Sequence, residues 1–452
     1  MNARPTLSAR NTPMAHASSH LRPLLRPVLP SLATLLLATA LLSCLSSSPA
    51  AITTPSRRPL QSSSASPLRL NQLQLLATHN SYKLAPSPEL RDYLASLLPA
   101  DVPAALDYAH PDLTDQLENF GVRAFELDVY ANPDGGRFAQ RAGPKLAGIN
   151  GTSPDGEMWV PGWKVMHTQD VDFETVALTL KEALGEMRAW SERRGAHVPV
   201  IVWVEPKRDQ LPEGLVRLGN ALLAASEAAG PDTFAEVLDI NATLLLDLES
   251  EVLNAFTRDQ LLLPGDLLTS DNTPLAQAVL PDRWPLLDDV RGKFVFVLDP
   301  AVRDIYLNAR PALSGAVFFT SARAESGHEG MTDAIFVAAA EGPFKHQVER
   351  KEREDVLKNV AAAEISAAVG KGYFVRTQVD NMGVLTIAEA RQNDTFRRDA
   401  FIAAGAHAIR TDFLRPSDLF PSTYSVPAVA CGRSPCCNPV NAGGHEGCQM
   451  LE

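Results

Sequence analysis

Basic charge is in short supply: 41 Lys and Arg stand against 53 Asp and Glu, leaving a net charge of −12. The chain lacks the broad positive footprint that phosphate-backbone binding needs, so nucleic acid is excluded as an expected partner. Long apolar runs are missing too, and the one candidate, 32–42, falls short of the about 20 residues that span a bilayer. No repeat of solenoid period and no long run of one charge sign is present. Cysteine is scarce. Of five, Cys44 lies near the N-terminus, and Cys431, Cys436, Cys437 and Cys448 fall within the last 22 residues. What is present is 452 residues at 45% hydrophobic and 21% charged, enough to bury a large core and incompatible with a disordered tail or a small staple-dependent domain.

The first 50 residues have the order of a secretory signal: Arg4, Arg10, Arg22 and Arg26, then the apolar run, then Ser48-Pro49-Ala50 as a small-residue cleavage site. An uncleaved anchor and lipid attachment at Cys44 are the alternatives. Residues 51–69 read as a disordered linker, 70–415 as the folded catalytic unit and 416–452 as a cysteine-rich tail. In an exported chain the four tail cysteines point to two disulfides, with zinc as the alternative. Asn150, Asn241 and Asn393 head Asn-x-Thr sequons that matter only in a eukaryotic host. A secreted monomer is the expected state.

From residue 73 onward, short apolar runs alternate with helical patterns. Eight candidate strands, 73–78, 122–129, 164–167, 200–204, 294–298, 315–319, 373–378 and 406–411, are separated by helical patterns such as 173–193, 211–229 and 350–369. The expected fold is α/β, a TIM-type (β/α)8 barrel with insertions after strands 2 and 4, at 131–162 and 209–291. An open doubly wound sheet gives the same alternation, but no glycine-rich phosphate loop follows the first strand.

Polar groups concentrate at the strand ends: His79-Asn80 on the first, Glu126-Leu127-Asp128 on the second, His167 on the third and Glu205-Pro206-Lys207 on the fourth. In such barrels these ends form one active face. Strand alternation turns Glu126 and Asp128 to the same side, their Cα atoms about 6.5 Å apart, and does the same for Glu205 and Lys207. Three inward carboxylates repel one another unless a cation or protons neutralise them. With the Asn80 amide the donor set is all oxygen, which suits a hard cation, Ca²⁺ in preference to Mg²⁺, over zinc. Two histidines and Lys207 beside such an ion are equipment for phosphodiester cleavage: proton transfer by imidazole, and charge stabilisation by lysine and metal.

Leu76-Ala77-Thr78-His79-Asn80-Ser81-Tyr82, Tyr108-Ala109-His110-Pro111 through Gln116-Leu117, Val122 to Tyr130, Met166-His167 and Val204-Glu205-Pro206-Lys207 resemble calcium-dependent phosphatidylinositol-specific phospholipase C, in its secreted single-domain branch. The resemblance covers residues 70 to 415. It implies catalytic His79 and His167, calcium ligands Asn80, Glu126, Asp128 and Glu205, and a phosphate contact from Lys207. In the family an inositol hydroxyl attacks phosphorus, releasing diacylglycerol and a cyclic inositol phosphate that can be hydrolysed further. Later strands supply headgroup contacts, for which Arg376 and Asp380 are the first candidates and Arg410 and Asp412 the weaker ones. The competing readings are glycerophosphodiester phosphodiesterase, whose first motif is normally His-Arg rather than His79-Asn80, and a catalytically inactive extracellular binding module. The segment Met158-Trp159-Val160-Pro161-Gly162-Trp163 is a candidate for transient contact with a membrane surface, or else a lid on the barrel.

Overall fold

Eight parallel strands form the ring. They are β1 (Leu73–Thr78), β2 (Val122–Tyr130), β4 (Val200–Pro206), β5 (Phe294–Leu298), β6 (Thr320–Arg323), β7 (Ala334–Ala338), β8 (Phe374–Gln378) and β9 (Ala408–Thr411). They pair in the order β5-β4-β2-β1-β9-β8-β7-β6. The ends of that path meet, because Phe319 N donates to Phe296 O (2.8 Å) and Leu298 N donates to Phe319 O (2.9 Å). The computed structural model describes residues 67–99, 101–211, 213–269, 273–324, 331–339, 360–380, 387–418, 420–449 and 451, all within one compact unit, Ser64–Glu452. The expected signal segment, Cys44, most of the linker and the first half of the 350–369 helix lie outside the described residues.

Alternation sorts the side chains as the pattern requires. Phe125, Leu127 and Val129 are buried in the layer between sheet and helices, whereas Glu126 and Asp128 point into the ring. The floor of the ring is aromatic: Trp203, Phe336 and Phe374 meet with ring centroids 5.4–6.3 Å apart, and Trp284 adds edge-on contact to Phe336. Above them comes a charged layer of Glu126, Arg376 and Arg410, and Asp128, Glu205 and Lys207 sit at the mouth.

Two strand expectations are corrected. The segment at 164–167 is not a barrel stave: β3 spans only Lys164–Val165 and runs antiparallel to β2, with Val129 opposite Val165. The 131–162 excursion returns directly on the end of β2, and without a crossover helix a returning strand can only pair antiparallel. The eighth stave is β7, an unalternating apolar run, Ala-Ile-Phe-Val-Ala, that the sequence reading passed over. The expected 315–319 strand ends where the ordered one begins. Both insertions occur after β2 and β4 as expected, β4 being the third stave of the ring.

The insertion after β2 builds a second core from Tyr130, Phe138, Met158, Met166, Phe173, Leu90 and Leu94. Its turn needs Gly135 at φ +78°, where a Cβ would come within 2.3 Å of the Trp159 carbonyl oxygen. Helix Leu180–Arg194 starts on a capping box, Thr179 with Glu182. The tail adds β10 (Cys436–Cys437), antiparallel to β1 at its N-terminal end, and holds the disulfides Cys431–Cys436 and Cys437–Cys448. Within the tail Ser434 Oγ accepts from Leu76 N (2.9 Å) and donates to Gly121 O (2.8 Å), tying β1 to the start of β2. Among the described residues no helix is long and apolar enough to cross a membrane.

Candidate active site and metal centre

The register between β2 and β4 sets Asp128 beside Glu205 and Glu126 beside Trp203. One carboxylate oxygen from each of Glu126, Asp128 and Glu205 lies within 4.8 Å of the other two. Asn80 follows β1 in a left-handed turn, φ +47°. That turn is fastened to β2, since Ser81 N donates to Glu126 O (3.0 Å) and Glu126 N to Ser81 Oγ (2.9 Å). Asn80 Nδ2 donates to the Tyr108 hydroxyl at 2.8 Å, and its amide oxygen accepts no hydrogen bond among the described residues.

The three carboxylates are not equivalent. Arg410 Nη1 stands 2.5 Å from both oxygens of Glu126, with Arg376 at 3.3 Å. Burial pushes the Glu126 carboxyl up, but the two guanidiniums outweigh it and hold it at about 2. Asp128 goes the other way: burial, opposed by Lys207 but reinforced by Glu205 and Glu126, lifts it to about 7. Its Oδ1 is buried with no hydrogen-bond partner, which costs free energy until a cation or proton arrives. Lys207 bridges the pair, 3.2 Å from Asp128 Oδ2 and 2.8 Å from Glu205 Oε1. Against the cost of burial it keeps the Glu205 carboxyl below its usual range. An orphaned carboxylate oxygen, two further carboxylates and an unengaged amide oxygen are a donor set that fits Ca²⁺.

Each histidine is backed by a buried carboxylate. His79 Nδ1 lies 2.7 Å from Asp412 Oδ1, and His167 Nδ1 lies 2.6 Å from Asp172 Oδ2. The imidazoles are 24% and 28% exposed while both carboxylates are 1% exposed. Nδ1 therefore carries the proton held by the carboxylate, and Nε2 is the nitrogen turned away from it. The second oxygen of Asp172 accepts from the fully buried Lys83 Nζ at 2.9 Å. His167 lies in the bend after β3, and Tyr130, rooted in the second core, donates its hydroxyl to His167 O (3.0 Å). His110 donates Nε2–H to His79 O (3.0 Å); burial brings its imidazole down to about 4, so it stays neutral.

Asp380, expected as a headgroup contact, is fully buried beneath Asp412 instead: it accepts from Asp412 N (3.2 Å), Gln378 Nε2 (2.9 Å) and the Thr411 hydroxyl. Arg376 is also buried, reaching Glu126 and, at 3.8 Å, Asp299 on β5's end. Sequence reasoning missed Asp172, Lys83 and Asp299. Asp172 had a signal, an acidic residue five positions after His167, but an irregular loop gives no rule for where it points.

A family model described as phosphoinositide phospholipase C, Ca²⁺-dependent, matches residues 68–439. Among solved structures the chain is similar to a calcium-dependent phosphoinositol-specific phospholipase C from Pseudomonas sp, at 15% identity and TM-score 0.43, covering 77% of this chain and 92% of that one. It is likewise similar to a Ca²⁺-dependent phosphatidylinositol-specific phospholipase C from Streptomyces antibioticus, at 15% identity and TM-score 0.43, covering 76% of this chain and 94% of that one. No curated protein matches the sequence. The family match spans the ring, the mouth and both histidine-bearing segments, and the chain belongs to the Ca²⁺-dependent phosphoinositide phospholipase C family.

Proposed function

We propose that the protein cleaves phosphatidylinositol at the phosphate–glycerol bond, using His79 and His167 for proton transfer and Asn80, Glu126, Asp128 and Glu205 to hold Ca²⁺. The observation that carries this reading is the pair of carboxylate-backed histidines beside a three-carboxylate cluster. Bound Ca²⁺ supplies positive charge that acidifies the attacking hydroxyl and offsets the phosphate. Glu126, clasped by two guanidiniums and held at about 2, is a poor base. His79 Nε2 takes the proton from an inositol hydroxyl as its oxygen bonds to phosphorus. His167 gives its Nε2 proton to the departing diacylglycerol oxygen as that P–O bond breaks. The products are diacylglycerol and a cyclic inositol phosphate. Lys207 contacts the phosphate, Arg376 acts from beneath through Glu126 and Asp299, and Asp380 supports Asp412.

The arginine-rich leader and the two tail disulfides support secretion of a monomer whose catalytic unit is 70–415 and whose tail, 416–452, braces it. Trp159 and Val160, 46% and 44% exposed, are the candidate contacts with the lipid surface.

The test is hydrolysis of phosphatidylinositol and of glycerophosphoinositol, each with calcium and with chelator, resolved by phosphorus NMR. Chelator-sensitive release of cyclic inositol phosphate from the lipid is the expected result. Cleavage of the deacylated diester alone, with glycerol phosphate as product, would overturn the substrate assignment.

A further inference from the structure

Tyr108 is absent from the roles above, yet it touches both halves of the site. It is buried, and its hydroxyl accepts from Asn80 Nδ2 at 2.8 Å. The ring is walled in: Lys83 Nζ stands 4.8 Å from its centroid, His110 meets it edge-on at 5.7 Å, and Phe413 and His79 lie at 6.4 Å. Lys83 is itself immobilised, donating to Leu84 O (3.0 Å), Leu106 O (2.8 Å) and Asp172 Oδ1 (2.9 Å). The hydroxyl is therefore a fixed point. The His79 Nδ1 atom lies 3.4 Å from it, but the proton of that nitrogen is committed to Asp412 at 2.7 Å, so the short contact of the hydroxyl is the one to Asn80.

Asn80 needs such a point. Its backbone is held at φ +47°, but a terminal amide turns about its last bond with little preference, and its two ends differ only in what they bond. With Nδ2 anchored, the amide oxygen is the end left for a cation. We infer that Tyr108 is a positioning residue for the calcium site: its hydroxyl locks the Asn80 amide so that the oxygen, not the NH₂ group, faces the metal. This rests on the reading of Asn80 as a calcium ligand. Groups that orient a ligand from behind typically carry about 10–100-fold in metal affinity.

The experiment is a calcium titration by calorimetry of the full protein without substrate, as wild type, Tyr108→Phe, Asn80→Gly and the double variant. Glycine accepts the positive φ, so Asn80→Gly removes the ligand without straining the turn, and thermal melts of the calcium-free variants identify any that fail to fold. Tyr108→Phe is expected to weaken calcium binding by about 10–100-fold in the wild-type background and to have no further effect in the Asn80→Gly background. Equal weakening in both backgrounds, or none in either, would overturn the inference while leaving the metal assignment intact. An Asn80→Gly variant that binds calcium as wild type does would instead remove Asn80 from the ligand set, and a wild type that binds no calcium would remove the metal reading itself. Should Tyr108→Phe not fold, Asn80→Asp serves in its place. It lacks the amide donor, and its calcium affinity should match or exceed wild type, because a carboxylate offers oxygen at either end; weaker binding would overturn the inference.

Discussion

Lys207 sets its ammonium 2.8 Å from Glu205 Oε1 and, from the same nitrogen, 3.2 Å from Asp128 Oδ2. An internal cation thus sits on two of the three clustered carboxylates. A divalent ion taking those oxygens meets a like charge at short range. Lys207→Met is expected to tighten calcium binding by about tenfold or more, read by calorimetry on substrate-free protein, and to raise KM for phosphatidylinositol. Unchanged calcium affinity would show that the ammonium does not compete.

His167 is assigned to proton transfer and not to ligation. His167→Ala should lower kcat by about a hundred- to ten-thousand-fold with calcium affinity retained. Asp172→Asn should lower kcat in the same direction, because the imidazole loses the partner at 2.6 Å that sets its tautomer. Wild-type turnover in His167→Ala would end the assignment.

Exposure of Trp159 predicts a vesicle effect. Trp159→Ala should reduce partitioning onto phosphatidylinositol vesicles and leave cleavage of the soluble substrate glycerophosphoinositol as in wild type, if the enzyme accepts it. Equal partitioning of the two proteins in a sedimentation assay would remove the contact.

His407 gives a pH dependence of stability. It is buried, accepts from Val375 N (3.0 Å) on Nδ1 and donates from Nε2 to Asn71 O (2.7 Å). Burial, against the hydrogen bond to Asn71, lowers its imidazole from 6.5 to about 4. A depressed histidine binds its proton more readily unfolded, so its contribution is complete above pH 6.5 and is lost as pH falls toward about 4, up to about 3 kcal/mol. Urea melts should therefore show the gap between wild type and His407→Gln narrowing across that window; a constant gap would contradict the neutral tautomer.

The tail bridge between Cys437 and Cys448 closes a loop of separation 11 beside β1. Replacing both cysteines by serine should cost about 2–4 kcal/mol of stability, measured by denaturant titration, with kcat retained in the folded fraction. Loss of kcat in fully folded protein would mean that the tail shapes the mouth.

Sequence pattern reached the ring and the grouping of acids because both follow from alternation along single strands: once β2 and β4 are read, Glu126, Asp128 and Glu205 must share a side. It did not reach contacts between strands far apart in the chain. Arg410 on Glu126 crosses 284 positions, and nothing local to either residue announces it. Nor did it place residues on irregular segments, such as Asp172, or show that Asp380, offered by the family resemblance as a headgroup contact, would be fully buried. β3 was misassigned because a two-residue antiparallel return and a barrel stave look alike over so short a run, and β7 because five apolar residues carry no period.

The His79–Asp412 pair joins the loop after β1 to the loop after β9. These staves are neighbours in the ring, with Leu75 opposite Ala408, yet they lie at opposite ends of the folded chain. His79 thus acquires its carboxylate partner only when the last stave docks against the first. A chain ending before β9 holds Glu126, Asp128, Glu205 and both histidines and still leaves His79 without the Asp412 that orients it. On the proposed assignment of His79, activity appears only once the two ends of the folded chain have met.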